Sequence, residues 1–266
     1  MSVAIIIPAR FASTRYPGKP LVPLTGSSGK PQTLIERSWR AAMSVSGIDR
    51  VVVATDDTRI KEASEAFGAE VVMTSPDCAN GTERCAEAHA TMGGGYDIVV
   101  NLQGDAPLTP AWFIEDLVDG LNADENAMVA TPVLKTDGAA LNGFLNDRRE
   151  GRVGGTTAVF DRNRHALYFS KEVIPFTPKT YSNAAETPVF HHVGVYAYRP
   201  KPLANYPTWS PGPLENLEGL EQLRFLENGH SVLCIEVDAR DRQFWELNNP
   251  EDVPKLEAMM RDMGVE

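Results

Sequence analysis

The sequence predicts an α/β fold: a mostly parallel sheet into which an antiparallel subdomain is inserted. Two observations predict it. From the N-terminus to Val133, short apolar runs alternate with helix-patterned segments, the rhythm of βαβ units. After Val133 the rhythm breaks, and strand-like stretches follow one another with no convincing helix between the first two. The core is therefore expected over 1–135 and 225–266, and the insertion over 136–224, as one continuous structural domain. A chain of 266 residues is long enough for this.

Each element has its own signal. Val3-Ala4-Ile5-Ile6-Ile7 is an apolar, largely β-branched run that reads as a buried strand. Val51–Ala54, Glu70–Met73, Ile98–Leu102 and Met128–Val133 read likewise. Helical patterns fill the gaps over Thr33–Met43, Asp57–Phe67, Glu83–Met92 and Pro110–Leu121, the last with Thr109 as its N-cap. Residues 136–156, rich in Gly, Asn, Asp and Arg, read as a loop. Thr156–Phe160, Ala166–Phe169 and Val193–Tyr198 read as antiparallel strands. A helix over Leu217–Glu227 ends at Asn228-Gly229, a left-handed stop signal. Val232–Val237 is a strand and Pro250–Met260 a final helix.

Composition excludes several classes. The net charge of −11 argues against a nucleic-acid partner, which calls for a basic face. The five-residue apolar run before Arg10 is too short for a signal peptide or membrane span, so a cytoplasmic protein is expected. Cys78, Cys85 and Cys234 have neither disulfide-framework numbers nor metal-site spacing.

The chemistry gathers at strand ends, where open α/β sheets bind ligands. Arg10, Arg15 and Lys19 are set among small residues and prolines just past the first strand. Guanidinium forks and an ammonium there match a polyphosphate. The loop is no Walker A motif: Gly26-Ser27-Ser28-Gly29-Lys30-Pro31 is too short and carries Pro where Ser or Thr belongs. No G-x-G-x-x-G follows the first strand, which leaves a dinucleotide site unsupported. Asn101-Leu102-Gln103-Gly104-Asp105-Ala106-Pro107 ends another strand; its Asp suits Mg²⁺ shared with phosphates, and its Gln suits a base edge. In Thr74–Arg84, Asn80 or Thr82 serves as a helix cap, or the small polar groups read a pyrimidine. Tyr168–Lys171 and His191–Tyr196 offer cations and hydrogen-bonding groups to a hydroxylated acid, with one of the two adjacent histidines facing away.

In order along the chain, these motifs resemble the CMP-Kdo synthetases (3-deoxy-manno-octulosonate cytidylyltransferases). The resemblance runs from Pro8–Leu21 through Ala54–Asp57, Gly81–Arg84, Asn101–Pro107, Ala166–Pro175, His192–Tyr198 and Leu220–Arg224 to Pro250–Asp252. It implies a Rossmann-like nucleotide-diphospho-sugar transferase fold, a homodimer and a Mg²⁺-dependent reaction of CTP with a keto-sugar acid in lipopolysaccharide biosynthesis. It implies Arg10, Arg15 and Lys19 on the triphosphate, and Ser75, Asp77, Asn80 and Gln103 at the cytosine. It implies Asp105 and Asn248 at the metal, and Lys171, His192, Tyr196, Glu221 and Gln222 toward the sugar acid. Glu221 is also weighed as a base, against a plain helix surface residue.

Departures from the family pattern lie mainly at the metal and the sugar. Asn248 stands where a metal carboxylate is usual, Lys171 where Arg is usual, Thr157 where Lys is usual, and Asn80 and Cys78 where Ser and His are usual. They keep two alternatives open: another acceptor, such as amino-Kdo or a sialic-type acid, or a catalytically weakened nucleotide-binding homologue.

Overall fold

The computed structural model describes every residue except 14, 15, 154, 241, 243, 244 and 266. The elements in chain order are β1 (Val3–Ala9), β2 (Pro23–Thr25), β3 (Pro31–Thr33), α1 (Leu34–Met43), β4 (Arg50–Thr55), α2 (Thr58–Ala66), β5 (Glu70–Met73), α3 (Gly81–Thr91) and β6 (Ile98–Leu102). There follow α4 (Ala111–Ala123), β7 (Val129–Lys135), α5 (Gly138–Arg149), β8 (Thr156–Phe160), β9 (Ala166–Ser170), β10 (Phe190–His192) and β11 (Val195–Tyr198). The chain closes with α6 (Pro200–Asn205), α7 (Pro213–Glu218), α8 (Leu223–Glu227), β12 (Val232–Glu236) and α9 (Asp252–Asp262). Three early helices start where a side chain can take the orphan amides of the first turn. Thr33 Oγ1 accepts from Glu36 N at 3.3 Å, Asp57 Oδ1 from Arg59 N at 2.9 Å, and Asn80 Oδ1 from Glu83 N at 2.9 Å.

Two compact units are present. The first comprises residues 1–115, 198–207 and 239–266. Its strands run β5-β4-β1-β6, all parallel, with Ile5 opposite both Val51 and Val100. All seven residues of β1 are buried, as expected of a central parallel strand covered on both faces. Leu24, Leu34, Leu108, Leu247, Leu256 and Met260 form a core cluster that fixes α9 and the segment before it.

The second unit comprises 116–197 and 208–238. Here β7 pairs in parallel with β12 and antiparallel with β10, and β10, β8 and β9 continue antiparallel. The antiparallel region expected after Val133 is thus present. β7 and β12, grouped with the core from sequence, lie in this unit.

Two sequence expectations are corrected. Residues 136–156 are not a loop: α5 occupies most of the stretch, capped by Asp137, whose Oδ1 accepts from Ala140 N at 2.7 Å. Gly138, Asn142 and Gly143 hid it, since all are poor helix formers, and only Gly138 and Leu141 are buried in it. The expected Leu217–Glu227 helix is two short helices, α7 and α8, parted at Gly219 with φ 61°. Gly229 does take the left-handed conformation after α8, at φ 75°.

Candidate active site

The loop after β1 folds on itself: Phe11 O accepts from Ser13 N at 3.0 Å and Gly18 N at 2.9 Å. The Phe11 ring is covered by the Arg59 guanidinium, 3.3 Å from its centroid, and Asp57 holds that Arg through two hydrogen bonds. Nothing in the sequence signals this clasp. Arg10 is exposed at the start of the loop, and Lys19 opens a short 3₁₀ turn, Lys19–Leu21. Arg15 lies outside the described residues.

Lys19 Nζ meets Asp105 Oδ2 at 2.5 Å, with side-chain exposures of 15% and 27%. Two expected site residues, 86 positions apart, are therefore one ion pair. Each belongs to a different ligand chemistry, the ammonium to phosphate oxygen and the carboxylate to a metal.

Gln103 lies midway in sequence between Asn101 and Asp105. Both amide atoms of Asn101 are buried without a hydrogen-bond partner among the described residues, and its exposure is 0%. Gln103 and Asn101 both lie against Gly81: a Cβ there would be 2.9 Å from Gln103 Nε2 and 3.4 Å from Asn101 Nδ2. Asn101 opens the motif that holds Gln103 and Asp105 and was not singled out from the sequence.

Ser75 and Asp77 line a different hollow, of about 420 Å³, with Cys78, Glu83, Glu87 and His89. Gln103, Asp105 and Lys19 are not among its walls. Asn80 is the cap of α3, and its Nδ2 donates to Tyr206 Oη at 3.0 Å. Cys78 Sγ donates to Glu87 Oε2 at 3.1 Å, and burial beside that carboxylate pushes the thiol up to about 12, so it is no nucleophile at neutral pH. The Ala54–Asp57 and Gly81–Arg84 motifs meet through Arg84, which pairs with Asp56 at 3.0 Å and donates to Thr74 Oγ1 at 2.5 Å.

Asn248 is brought toward Asp105 by its neighbour, since Leu247 N donates to Asp105 O at 3.1 Å. Asp252 fixes the turn, its Oδ2 accepting from Asn248 N at 3.0 Å and Asn249 N at 2.7 Å. No group of three or more His, Cys, Asp or Glu able to hold a metal occurs among the described residues. One carboxylate and one amide oxygen fit Mg²⁺, which takes few protein ligands and fills its shell with phosphate and water.

In the second unit two of the expected acid-side residues, His192 and Tyr196, sit ring to ring, 5.7 Å between centroids, and each has its own polar partner. His192 Nε2 lies 2.9 Å from Thr131 Oγ1, and its ring packs edge-on to Phe169. Burial lowers His192 to about 3, with His191 adding to it, and burial alone lowers His191 to about 4. Both are neutral at pH 7. They offer hydrogen bonds, not the positive charge the sequence suggested. His191 packs on Phe144, 5.2 Å between centroids, and so is the structural member of the pair. Tyr196 Oη donates to Gln222 Oε1 at 3.0 Å, while Gln222 Nε2 is buried without a hydrogen-bond partner among the described residues. Glu221 lies in the turn between α7 and α8, not on a helix face.

Sequence reasoning missed the frame around these residues. Arg224 forks Glu215 at 2.6 and 2.7 Å, and the two are 1% and 8% exposed. Thr157, where Lys was expected, donates to Glu172 O at 2.7 Å and accepts from Ile174 N at 3.2 Å, fixing the bend after β9.

The sequence matches the cytidylyltransferase family model over residues 4–235. It is 45% identical to the 3-deoxy-manno-octulosonate cytidylyltransferase of Maricaulis maris (strain MCS10) over 264 residues, 99% of each chain. It is 41% identical to the 8-amino-3,8-dideoxy-manno-octulosonate cytidylyltransferase of Shewanella frigidimarina (strain NCIMB 400), covering 98% of this chain and 99% of that one. Its fold matches that of CMP:2-keto-3-deoxy-manno-octonic acid synthetase complexed with CTP. The TM-score is 0.83 at 32% identity, over 99% of this chain and 100% of that one. With this ordered set of motifs, end-to-end similarity and a shared fold, the chain belongs to the cytidylyltransferase family, among the CMP-Kdo synthetases.

Proposed function

We propose that this protein transfers the cytidylyl group of CTP to the anomeric hydroxyl of Kdo, giving CMP-Kdo and pyrophosphate for lipopolysaccharide assembly. The observation that carries the reading is the Lys19–Asp105 pair at the strand ends, in a chain of this family. The triphosphate takes Lys19 and Arg10, with Arg15 assigned to the same role. Gln103 reads the base with Asn80 near it at the start of α3; Ser75 and Asp77 line a separate hollow and keep a nucleotide role only as the resemblance implies it. Lys171, His192, Tyr196, Glu221 and Gln222 hold the acid. In the reaction the anomeric oxygen attacks the α-phosphorus, the bond to the bridging oxygen breaks, and pyrophosphate leaves. Glu221, the one carboxylate of the acid-side set, takes the hydroxyl proton. Lys19 and Arg10 stabilise charge on the leaving group, and most of the barrier reduction is positioning and electrostatics.

Asp105 and Asn248 would hold Mg²⁺. Once bound, the ion supplies Lewis-acid stabilisation of phosphate charge. With Asp105 committed to the metal, Lys19, its partner at 2.5 Å, would be available to phosphate.

No helix among the described residues is long and apolar enough to cross a membrane. We place the enzyme in the cytoplasm as a homodimer, which light scattering checks by mass.

The deciding assay is pyrophosphate release from CTP and Mg²⁺ with Kdo, 8-amino-Kdo and a sialic acid in parallel. Kdo should turn over fastest. A faster reaction with another acid replaces the acceptor, and no release with any of the three overturns the activity.

A further inference from the structure

Lys171 leaves the end of β9 on a backbone that one carboxylate holds. Glu218 Oε2 accepts from Lys171 N at 2.9 Å, and Glu218 Oε1 accepts from Ser170 Oγ at 2.7 Å and Tyr168 Oη at 3.3 Å. Ser170 Oγ in turn accepts from Glu172 N at 3.0 Å. Glu218 is the last residue of α7, and Gly219 caps that helix in the left-handed conformation, φ 61° and ψ 40°. A Cβ on Gly219 would lie 3.0 Å from Lys171 Nζ, so the ammonium lies over this glycine. Lys171 makes no ion pair among the described residues. Two residues beyond Gly219 begin Glu221 and Gln222, the latter with a buried amide nitrogen that has no partner among the described residues.

These contacts divide the labour. Glu218 is occupied by three donors and fixes where the Lys171 side chain starts. Gly219 leaves open the space where it ends. Any larger residue meets the ammonium, and most would also resist the backbone conformation. The ammonium lies over Gly219, two residues before Glu221 in the chain.

We propose that Glu218 and Gly219 are positioning residues that set the Lys171 ammonium as the anchor for the acceptor's carboxylate, and so determine the preference for an anionic acceptor. This rests on the function proposed above. The test uses Glu218→Gln and Gly219→Asn. Asn tolerates the left-handed backbone yet fills the space over the glycine. Calorimetry measures binding of Kdo and of its neutral C1 carboxamide, and pyrophosphate release gives KM for Kdo and for CTP.

Wild type should bind the acid at least about tenfold more tightly than the amide, the order expected of a charge-assisted contact. Both variants should cut that preference to about threefold or less and raise KM for Kdo about tenfold. KM for CTP should stay within about twofold. An unchanged acid-over-amide preference in the variants, or an equal rise in both KM values, overturns the inference. A wild type with no such preference does so too. If Gly219→Asn does not fold, Glu218→Gln decides by the same preference. A wild type that prefers the acid but releases no pyrophosphate overturns the proposed function alone.

Discussion

The residues assigned to the nucleotide and those assigned to the acid are held differently. On the nucleotide side the decisive groups are charged, partly exposed and paired with each other: Lys19 with Asp105. On the function proposed above, ligand binding there would be an exchange of partners, with phosphate replacing carboxylate on the ammonium. On the acid side the groups are mostly neutral and buried: His192 with Thr131, and Tyr196 with Gln222. Lys171 is the cation of that set. Such a site works by being built beforehand, because a buried polar group out of register costs the full desolvation penalty. The first region depends on charge, and the second on the integrity of its frame.

The sharpest way to break this contrast is to attack the frame. Arg224→Ala leaves Glu215 buried without its partner and should cost about 3–5 kcal/mol of stability in urea unfolding. Arg224→Met with Glu215→Gln should recover most of it, because a neutral, packed pair carries no stranded charge. If the single variant stays as stable as wild type, the acid side is not held by its frame.

Lys19→Met attacks the charge instead. It should lower kcat/KM for CTP about 10²–10³-fold, the scale of losing a group that meets developing charge. The melting temperature should hardly change, since the pair is partly exposed. Equal loss of stability and activity would erase the distinction between the regions.

Protons probe the acid side next. His191 and His192 titrate at about 4 and about 3 when folded, against about 6.5 in the unfolded chain. A base with a lowered folded value favours the unfolded state once that state protonates. The two histidines therefore cost nothing above pH 6.5 and progressively more as pH falls from 6.5 toward 4 and 3. By pH 5 each should remove about 2 kcal/mol. His192→Gln should flatten about half of that slope in unfolding measured at pH 7 and pH 5. Neither histidine should make acid binding vary between pH 6 and 8.

The same contrast explains what was legible in the sequence. Parallel strands announce themselves as continuous apolar runs, so Glu70–Met73 and Ile98–Leu102 match the strands observed. The loop after β1 announces itself by cations out of place on an acidic chain, and Lys19 of that loop is observed paired with Asp105. The frame is quieter, because Glu215, Glu218 and Arg224 look like a polar helix surface until the break at Gly219 turns them inward. α5 was hidden by its glycines and asparagine, though Asp137 before Ala139-Ala140-Leu141, with Arg148-Arg149 in the last turn, is a readable start and stop. The partnership of Lys19 with Asp105 joins two loops far apart in sequence, and no local pattern encodes that.

The smallest effect isolates Gln103, the amide assigned to the base, and its buried neighbour Asn101 from both charge and frame. Gly81→Ala places a methyl 2.9 Å from Gln103 Nε2 and 3.4 Å from Asn101 Nδ2. The end of Gln103 must swing aside, whereas Asn101, fully buried, cannot follow. Gly81 is the first residue of α3, where Ala favours the helix, so the melting temperature should stay level or rise slightly. Affinity for CTP should nevertheless fall about tenfold, and the preference for CTP over UTP should shrink with it. KM for the acid should not move. A variant that gains helix stability while losing its base preference separates recognition from folding at one methyl group. Unchanged CTP affinity would remove Asn101 and Gln103 from the base site and leave nucleotide recognition to charge alone.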